Sequence, residues 1–541
     1  MLSSAAGQHG RVAHMPSGES VAAAFNVAEL SSASFPHVVT RLRVLETHIS
    51  WVVLTGRYAY KIKKPVRYDF LDASTLDRRH ALCTEEVRLN RRLAPDLYLD
   101  VVAITREAGE LKVGGNGRAL EYAVRMHEFA PELDLSSQLA AGAVALEEMT
   151  SLASALAEFH RHAAIAAPDS PFGDVASVRG QMLDNMTVLE EHADATQDMA
   201  ALRGLDTWLR HSLVHAATLI NQRKREGAVR ECHGDLHARN IVRWRERWVP
   251  FDCIEFNPDL RWIDVVSDVA FLFMDLAAHR RHDLAHAFLS RYLEETGDYQ
   301  GLRLLPLYAV YRALVRAKID ALAARAVSPE SAQALRAREA QRVRVAAALM
   351  DQRQPALLIT HGLTASGKSW LGERLVATID AVRIRADLER KRLAGMGPLE
   401  TSHSGVGEKL YAAGVTDRVY ERLRDCAESG LAAGFNVIVD ASFLRAAQRE
   451  RFRKLAAERH VPFLILSCHA DAATLRARLE TRAHAGRDPS EATRAVLEHQ
   501  LASQEPLSAT EREQALVIDT NWVTGADAGV EAVRSRLRSL R

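Results

Sequence analysis

The chain has 541 residues, of which 48% are hydrophobic and 26% charged, with 16 proline and 29 glycine residues. At roughly 150 residues per domain, this length predicts about three to four folded units, and the composition excludes a disordered or collagen-like chain. Basic residues number 70 and acidic residues 69, so the net charge of +1 provides no overall field that would attract nucleic acid or an anionic membrane.

The five cysteines are scattered, odd in number and without C-x-x-C spacing. This pattern argues against a disulfide framework or a zinc site and fits a reducing compartment. No apolar run reaches the ~18 residues of a membrane span, and the first residues lack the charged-then-apolar order of a secretory signal. We therefore expect a cytoplasmic protein with no membrane partner, of undetermined oligomeric state, and a flexible tail over residues 1–34.

Residues 35–130 have the pattern of a small antiparallel sheet with one helix. Short runs typical of strands, separated by turn residues, occur at 51–55, 58–64, 101–105, 111–113 and 120–126. Residues 76–93 have helical spacing. Residues 131–328 are rich in helix-forming residues, which predicts a helical lobe. Residues 329–354 form a charged helical pattern that stops at a proline, and we expect a helical linker there.

The remainder of the chain, residues 355–541, alternates short apolar runs with helical stretches. The apolar runs lie at 356–360, 382–384, 436–440, 463–467 and 515–519. This rhythm is typical of an α/β domain with a mostly parallel sheet.

Residues 232–240 read Cys-His-Gly-Asp-Leu-His-Ala-Arg-Asn, and a strand–turn–strand pattern leads from there to Asp252. Phosphoryl transfer needs a group that positions or deprotonates the attacking hydroxyl, and hard oxygen ligands for the Mg²⁺ that bridges the ATP phosphates. Asp235, Asn240 and Asp252 supply those parts. The alternative is that they are ordinary loop and N-cap residues, which the combination with the upstream sheet-then-helices order disfavours.

With these residues the sequence resembles the aminoglycoside phosphotransferase family, whose signature is a His-Gly-Asp loop, an asparagine five residues past the aspartate and a downstream metal-binding aspartate. The resemblance implies an α+β, protein-kinase-like fold in which a small antiparallel sheet lobe precedes a helical lobe. It also implies ATP and Mg²⁺ as cofactors. It assigns Asp235 as the catalytic aspartate, Asn240 and Asp252 as magnesium ligands, Asp268 as the acid that braces the loop, and His233 as an architectural residue.

Kinase-like folds also need a strand lysine that reaches the phosphates and a helix glutamate that holds it. Only ten of the basic residues are lysines, so three of them within four positions form a concentration. We predict Lys61 for this role, with Lys63 as the alternative because it shares a strand face with Lys61. Glu85 is the predicted partner and Glu86 the alternative. By analogy, residues 121–129 form the hinge beside adenine. The chain has no Gly-x-Gly-x-x-Gly between the first strands, which argues against a protein kinase.

A second motif, Gly362-Leu-Thr-Ala-Ser-Gly367-Lys368-Ser369, follows an apolar strand and precedes a helix, and it is a full G-x-x-x-x-G-K-[ST] pattern. Its glycines permit backbone N–H groups to point at phosphate oxygens, while Lys368 reaches the outer phosphates and Ser369 binds magnesium. Asp440 ends a later strand, where P-loop proteins place the acid that holds magnesium or its water. A strand-end cap is the alternative role of Asp440.

This half resembles the small P-loop kinases that include polynucleotide kinase and the zeta-toxin-like enzymes. The resemblance implies that Asp387, which follows the second strand of the domain, orients the acceptor hydroxyl. Arg478, Arg482 and Arg487 resemble the arginines of the lid in that group, and Arg482 is the predicted nucleotide-binding residue. A planar guanidinium stabilises charge on a transferring phosphoryl group, although arginines on an exposed helix are also common without that role.

The order of the two motifs resembles a bacterial two-domain family of predicted kinases over residues 35–541. We expect an ATP- and Mg²⁺-dependent phosphotransferase that acts on a small-molecule hydroxyl group and carries a second, ATP-binding P-loop kinase-like domain. Two alternatives stay open for the P-loop half. The first is that this half is a regulatory nucleotide switch, and the second is that it phosphorylates a nucleic acid or a nucleotide sugar. The balanced charge makes nucleic acid the least favoured partner.

Overall fold

The computed structural model describes residues 25–68, 70–192, 196–325, 327–350, 354–402, 412–485, 490, 493–521 and 523–540. The chain divides into two compact units. The first comprises Met1–Val144, Glu158–His279 and Leu307–Ala348, and the second comprises Ala145–Ala157, Arg280–Pro306 and Leu349–Arg541. Within the described ranges, every helix is too short or too polar to cross a bilayer.

The first unit begins with a strand-rich region that contains one long helix. Its elements are β1 (Arg43–Glu46), β2 (Ser50–Leu54), β3 (Tyr58–Lys63), β4 (Arg67–Tyr68), β5 (Leu71–Asp72), α1 (Leu76–Asn90), β6 (Tyr98–Glu107), β7 (Glu110–Val113) and β8 (Ala119–His127). Six strands form an antiparallel sheet in the order β1-β2-β3-β8-β6-β7, and β4 pairs with β5. Cys83 and Val87 of α1 pack against Val52 and Val124 of the sheet, so α1 lies across the face that carries the β3 lysines.

A helical region follows, interrupted by four short strands. Its elements are α2 (Leu135–Ala140), α3 (Leu146–His162), α4 (Val175–His192), α5 (Thr196–Arg225), β9 (Val229–Glu231), β10 (Ile241–Trp244), β11 (Arg247–Pro250), α6 (Pro258–Arg261), β12 (Trp262–Asp264) and α7 (Val265–Ala278). Strands β10 and β11 form an antiparallel hairpin, and β9 pairs with β12. The His-Gly-Asp loop therefore lies between β9 and β10, and Asp252 lies two residues after β11. This sheet-then-helices arrangement confirms the predicted kinase-like fold class.

Three further helices are α8 (His282–Thr296), α9 (Leu305–Ala324) and α10 (Pro329–Met350). The region predicted as a linker is α10, which instead packs within the first unit. Arg338 and Arg342 of α10 both pair with Asp320, and Arg342 also pairs with Asp275. Both aspartates are buried, so these arginines of α10 form ion pairs with the interior of the unit. A second difference from the sequence boundary is that α8 and most of α3 belong to the second unit.

The rest of the second unit alternates strands and helices. Its elements are β13 (Leu357–His361), α11 (Lys368–Thr378), β14 (Ala381–Arg385), α12 (Ala386–Leu393), α13 (Ala413–Ala432), β15 (Asn436–Asp440), α14 (Ala446–Glu458), β16 (Phe463–His469), α15 (Ala472–Ala485), α16 (Arg494–Ser503), α17 (Ala509–Glu513), β17 (Ala515–Asp519) and α18 (Val523–Leu540). The five strands form a parallel sheet in the order β14-β15-β13-β16-β17. Every residue of β13 and β15 is buried, which explains the apolar runs at 357–359 and 437–439. The parallel sheet confirms the predicted α/β domain.

Candidate functional site

The His-Gly-Asp loop is held by Asp268 in the first turn of α7. Asp268 is fully buried, and its carboxylate oxygens accept hydrogen bonds from the backbone N–H groups of His233 (3.0 Å) and Gly234 (2.9 Å). His160 Nε2 lies 3.2 Å from the same carboxylate. Two charge-assisted backbone contacts fix the course of the loop, which is the bracing contact predicted for Asp268.

Two residues of the loop are required by its backbone shape. His233 Nε2 donates to the Phe251 carbonyl (2.9 Å), and its Nδ1 accepts from the Asp235 N–H (3.3 Å). Burial lowers the pKa of His233, so the ring is neutral and able to make both bonds. Gly234 has φ +85°, and a Cβ atom there would lie 2.6 Å from the Leu260 carbonyl oxygen. His233 is thus architectural, and position 234 requires glycine.

Asp235 and Asn240 contact each other directly. Asn240 Nδ2 donates to Asp235 Oδ2 (2.9 Å) and to the Asp235 carbonyl (3.1 Å). His237 Nε2 lies 3.4 Å from the same carboxylate. Burial raises the pKa of Asp235, but the electrostatic effects of His237 and Arg316 outweigh it, and the pKa falls to about 2. Asp235 is therefore ionised at neutral pH.

Lys61 on β3 lies between two acids. Its Nζ donates to Glu86 Oε1 (2.8 Å) and to Asp252 Oδ1 (2.6 Å). Lys63 donates to the other oxygen of Glu86 and to Glu255. Burial disfavours the charge of Lys61, but Asp252 and Glu86 more than compensate and raise its pKa well above the usual value. Both β3 lysines are therefore charged inside the unit.

The pairing corrects the predicted partner of the strand lysine, because Glu85 does not contact it. Glu85 instead accepts hydrogen bonds from Arg88 (2.7 Å) and Arg261 (2.9 Å). Successive residues of an α-helix point about 100° apart, so only one of two adjacent glutamates faces the sheet. Glu86 is fully buried, whereas the Glu85 side chain is 28% exposed.

Asp252, Asn240 and Asp235 form a set of oxygen donors of the kind that Mg²⁺ prefers. Asp252 has φ +64°, an uncommon conformation for a residue other than glycine. Burial raises the pKa of Asp252 and Lys61 lowers it to below the usual value, while the charge of Asp235 opposes ionisation. The Asp235 and Asp252 side chains are only 13% and 12% exposed, and a divalent cation relieves the repulsion between two such carboxylates. These residues therefore fit a magnesium ion.

The P-loop connects the central strand β13 to α11. Gly362 and Gly367 both have positive φ, of 139° and 82°, and a Cβ atom on Gly362 would lie 2.4 Å from the Cys468 carbonyl oxygen. Lys368 Nζ donates to the Leu363 carbonyl (2.6 Å). Ser369 occupies the first turn of α11, where backbone N–H groups and the helix dipole favour an anion.

Two acids lie at the carboxyl ends of adjacent strands of the parallel sheet. Asp440 is the last residue of β15 and Asp387 lies in the first turn of α12, directly after β14. Asp440 is buried, and within the described part of the chain its Oδ2 atom has no hydrogen-bond partner. Arg385 Nε lies 3.9 Å from that oxygen. A buried carboxylate oxygen without a donor fits the role of holding a metal ion or its water.

The predicted lid arginines are only partly within the described residues. Arg478 donates to the carbonyl of the P-loop residue Ala365 (3.3 Å) and to the carbonyl of Thr520. Arg482 lies in α15, but its side chain is outside the described residues. Arg487 also lies outside them.

Sequence reasoning missed two charged residues at the first site. Arg316 Nη1 lies 3.0 Å from His237 Nε2, and burial lowers the pKa of Arg316 to about 10. Arg316 is on α9, far along the chain from the loop, and no local pattern marks it. Glu255 follows Asp252 by three residues, and that Asp-x-x-Glu spacing is a signal that could have identified it.

Comparisons with known proteins agree with this two-part organisation. A family described as "Phosphotransferase enzyme family" matches residues 55–305, and one described as "AAA domain" matches residues 357–507. Uncharacterized proteins of Mycobacterium tuberculosis and Mycobacterium bovis are each 30% identical over 454 residues, which is 84% of this chain and 89% of the relative.

Solved structures similar to this chain include kinases. A choline kinase from Cryptosporidium parvum Iowa II is 11% identical, covering 60% of this chain and 92% of its own, with a TM-score of 0.37. A gluconokinase from Sinorhizobium meliloti 1021 is 20% identical, covering 34% of this chain and 97% of its own, with a TM-score of 0.25.

Proposed function

The chain belongs to a bacterial two-domain family that joins a phosphotransferase domain to a P-loop kinase-like domain, and we propose that its first domain transfers the γ-phosphoryl group of ATP to a hydroxyl group of a small molecule. One observation carries the proposal. Asp235 and Asn240 of the catalytic loop contact each other, and the Asn240 carbonyl accepts a hydrogen bond from the backbone N–H of Phe251 (2.9 Å). Phe251 precedes Asp252, which contacts Lys61 and, through it, Glu86. Phosphoryl transfer needs each of these groups.

In the proposed reaction, Asp235 accepts a hydrogen bond from the acceptor hydroxyl. The new bond forms between the acceptor oxygen and the γ-phosphorus, the bond between that phosphorus and ADP breaks, and the hydroxyl proton passes to Asp235. With a pKa of about 2, Asp235 is a weak base at neutral pH, so orienting the hydroxyl is the larger part of its contribution. Lys61, held by Glu86, binds the ATP phosphates.

Asn240 and Asp252 would hold Mg²⁺ in this domain, and the ion supplies neutralisation of the phosphate charge when bound. In the P-loop domain, the backbone from Gly362 to Gly367 and Lys368 bind a second nucleotide. Ser369 and Asp440 would hold its magnesium.

For the P-loop domain we propose a second phosphoryl transfer in which Asp387 orients the acceptor hydroxyl and Arg482 contacts the nucleotide. The half-burial of Asp387 beside the carboxyl ends of β14 and β15 supports this role, because ligands of open α/β sheets bind at that edge.

The experiment that tests the first-site proposal incubates the purified full chain with labelled ATP, Mg²⁺ and a metabolite extract. A Lys368→Ala background confines labelling to the first site. We expect one class of hydroxyl compound to gain label, and Asp235→Asn to lower the rate by about 10²- to 10⁴-fold while Mg·ATP binding persists. Asp169→Asn, at an exposed turn position, is the matched control. Equal rates in Asp235→Asn and the control would refute the role of Asp235.

A further inference from the structure

Residues 280–306 complete an edge of the parallel sheet. Strand β14 is an edge strand, so the backbone groups of Arg383 that point away from β15 need partners. Ser290 Oγ on α8 accepts a hydrogen bond from the Arg383 N–H (3.0 Å). The Tyr299 hydroxyl donates to the Arg383 carbonyl (2.9 Å). Both backbone groups at this position are thus satisfied by residues from one neighbouring segment.

The side chain of Arg383 connects that same segment to the P-loop. Its Nε donates to Glu294 Oε1 (2.8 Å) and its Nη2 to Glu294 Oε2 (3.2 Å). Its Nη1 donates to the carbonyl of Ser369 (2.7 Å). Glu294 and Arg383 are 3% and 6% exposed, so water does not compete for these bonds. A two-point contact with a carboxylate fixes the plane of a guanidinium, and the direction of Nη1 therefore depends on Glu294.

The pair is electrostatically strong as well as geometrically restrained. Burial opposes the charge of Arg383, but Glu294 raises the pKa of Arg383 above its usual value. The effect is mutual, since Arg383 lowers the pKa of Glu294 in spite of burial. Both groups are ionised at neutral pH. Removing one of them leaves a buried charge without its main partner.

We propose that Glu294 is a positioning residue of the P-loop nucleotide site. It aims Arg383 at the carbonyl of Ser369 and so holds the first turn of α11, whose hydroxyl and N–H groups bind the nucleotide and its magnesium. Glu294 lies in the part of the chain that matches the phosphotransferase family, residues 55–305, and not in the part that matches the P-loop family. The inference rests on the proposed binding of nucleotide by the P-loop.

The test measures binding of Mg²⁺ with a non-hydrolysable ATP analogue to the full chain by calorimetry. The P-loop component is defined as the binding that Lys368→Ala removes. We expect Glu294→Gln to weaken that component by about 10- to 100-fold, the usual effect of losing a residue that orients a metal-binding group. The control is Glu295→Gln, because Glu295 is the next residue, is half-buried and pairs only with Arg291 and Ser154 among the described contacts. The affinity of the P-loop component in Glu295→Gln should equal that in the parent protein.

Two further outcomes are decisive. If Lys368→Ala removes no binding, nucleotide binding by the P-loop fails and this inference fails with it. If Lys368→Ala removes a component but Glu294→Gln leaves its affinity unchanged, only the positioning role fails.

A double variant, Glu294→Met with Arg383→Met, separates positioning from folding. It removes both buried charges, and an apolar pair of similar volume restores stability in such places. We expect its unfolding temperature to recover relative to Glu294→Gln, while P-loop affinity stays at least about tenfold weaker because the Ser369 carbonyl has lost its donor. Recovery of the affinity together with the stability would overturn the proposal, since the pair would then serve the fold alone.

Discussion

Glu86 is shared by two lysines, and each oxygen of its carboxylate accepts from a different ammonium group. The contacts continue on both sides, from Lys61 to Asp252 and from Lys63 to Glu255. Three acids and two lysines thus form one connected group, buried except for the half-buried Asp252, which leaves one negative charge in excess when all are ionised. A bound cation would balance that charge, in agreement with the magnesium site proposed beside Asp252.

Replacing Glu86 by glutamine should lower the free energy of unfolding by about 3–5 kcal/mol, because two buried ammonium groups lose their shared counter-ion. Glu85→Gln should lower it by less than about 1 kcal/mol, since Glu85 forms partly exposed ion pairs. Urea unfolding of the two variants and the parent provides the comparison. Equal losses in the two variants would contradict the assignment of the buried partner.

The choice between Glu85 and Glu86 is a feature of the site that the sequence alone did not predict. A lysine on β3 and a glutamate on α1 were both predictable from strand and helix patterns. Which glutamate faces the lysine depends on the rotation of α1 about its axis, and the packing of Cys83 and Val87 on the sheet determines that rotation. The sequence of α1 marks its buried face poorly, because the polar residues at 79, 86 and 90 are buried beside the apolar ones.

At the scale of elements, the catalytic loop depends on a glycine that its backbone requires. Gly234→Ala would place a Cβ atom 2.6 Å from the Leu260 carbonyl oxygen at a φ of +85°. We expect a large loss of phosphotransfer and a lower unfolding temperature, because the loop must shift away from Asp268.

Gly180→Ala is the matched substitution on an exposed position of α4, where a new Cβ meets nothing within 4 Å. It should leave activity unchanged and raise the stability by up to about 1 kcal/mol through helix propensity. Activity assays and thermal unfolding of both variants check the pair. A fully active Gly234→Ala would show that the loop tolerates a different path.

The elements themselves were largely predictable, whereas their partners were not. The five strands of the parallel sheet were identified by their apolar runs. The helix α10 was identified by its charged helical pattern, and α8 lies in residues 131–328, which were predicted to be helical from their composition. Local patterns do not say which sheet a helix packs on. The association of α8 with β14 arises from Ser290 and Glu294, whose partner Arg383 lies about ninety residues further along the chain.

At the scale of the molecule, buried neutral histidines make stability depend on pH. Burial lowers the pKa of His233 and His237 in the first unit, and lowers that of His361 in the second to about 4. In the unfolded chain a histidine has its ordinary pKa near ~6.5, so the unfolded state binds more protons below that pH. The stability from each histidine is complete above that pH and declines as the pH falls toward the folded value.

We therefore expect the urea midpoint to fall between pH 7 and pH 5, with each histidine contributing up to about 1.4 kcal/mol per pH unit. His361→Gln should reduce the change of the urea midpoint with pH, which we call the pH slope, for the second unit. His499→Gln, an exposed position on α16, should leave the pH slope unchanged. A pH slope unaffected by His361→Gln would mean that other groups carry the acid sensitivity.

Two nucleotide sites in one chain lead to a prediction about stoichiometry and about what the second site does. Calorimetry with Mg²⁺ and a non-hydrolysable ATP analogue should give two sites per chain. Lys61→Ala should remove one and Lys368→Ala the other, because each lysine supplies the cation of its own phosphate cradle.

Product analysis of Lys368→Ala then decides between the two roles open to the P-loop. If the P-loop is a second kinase, one phosphorylated product disappears while the product that depends on Asp235 persists. If it is a regulatory switch, the products stay the same and only their dependence on ATP concentration changes, since a ligand alters an equilibrium by no more than its difference in affinity for the two states. We expect the first result, because Asp387 and Asp440 lie at the carboxyl ends of the adjacent strands β14 and β15, where an acceptor and a metal would meet. Switching alone does not require that arrangement.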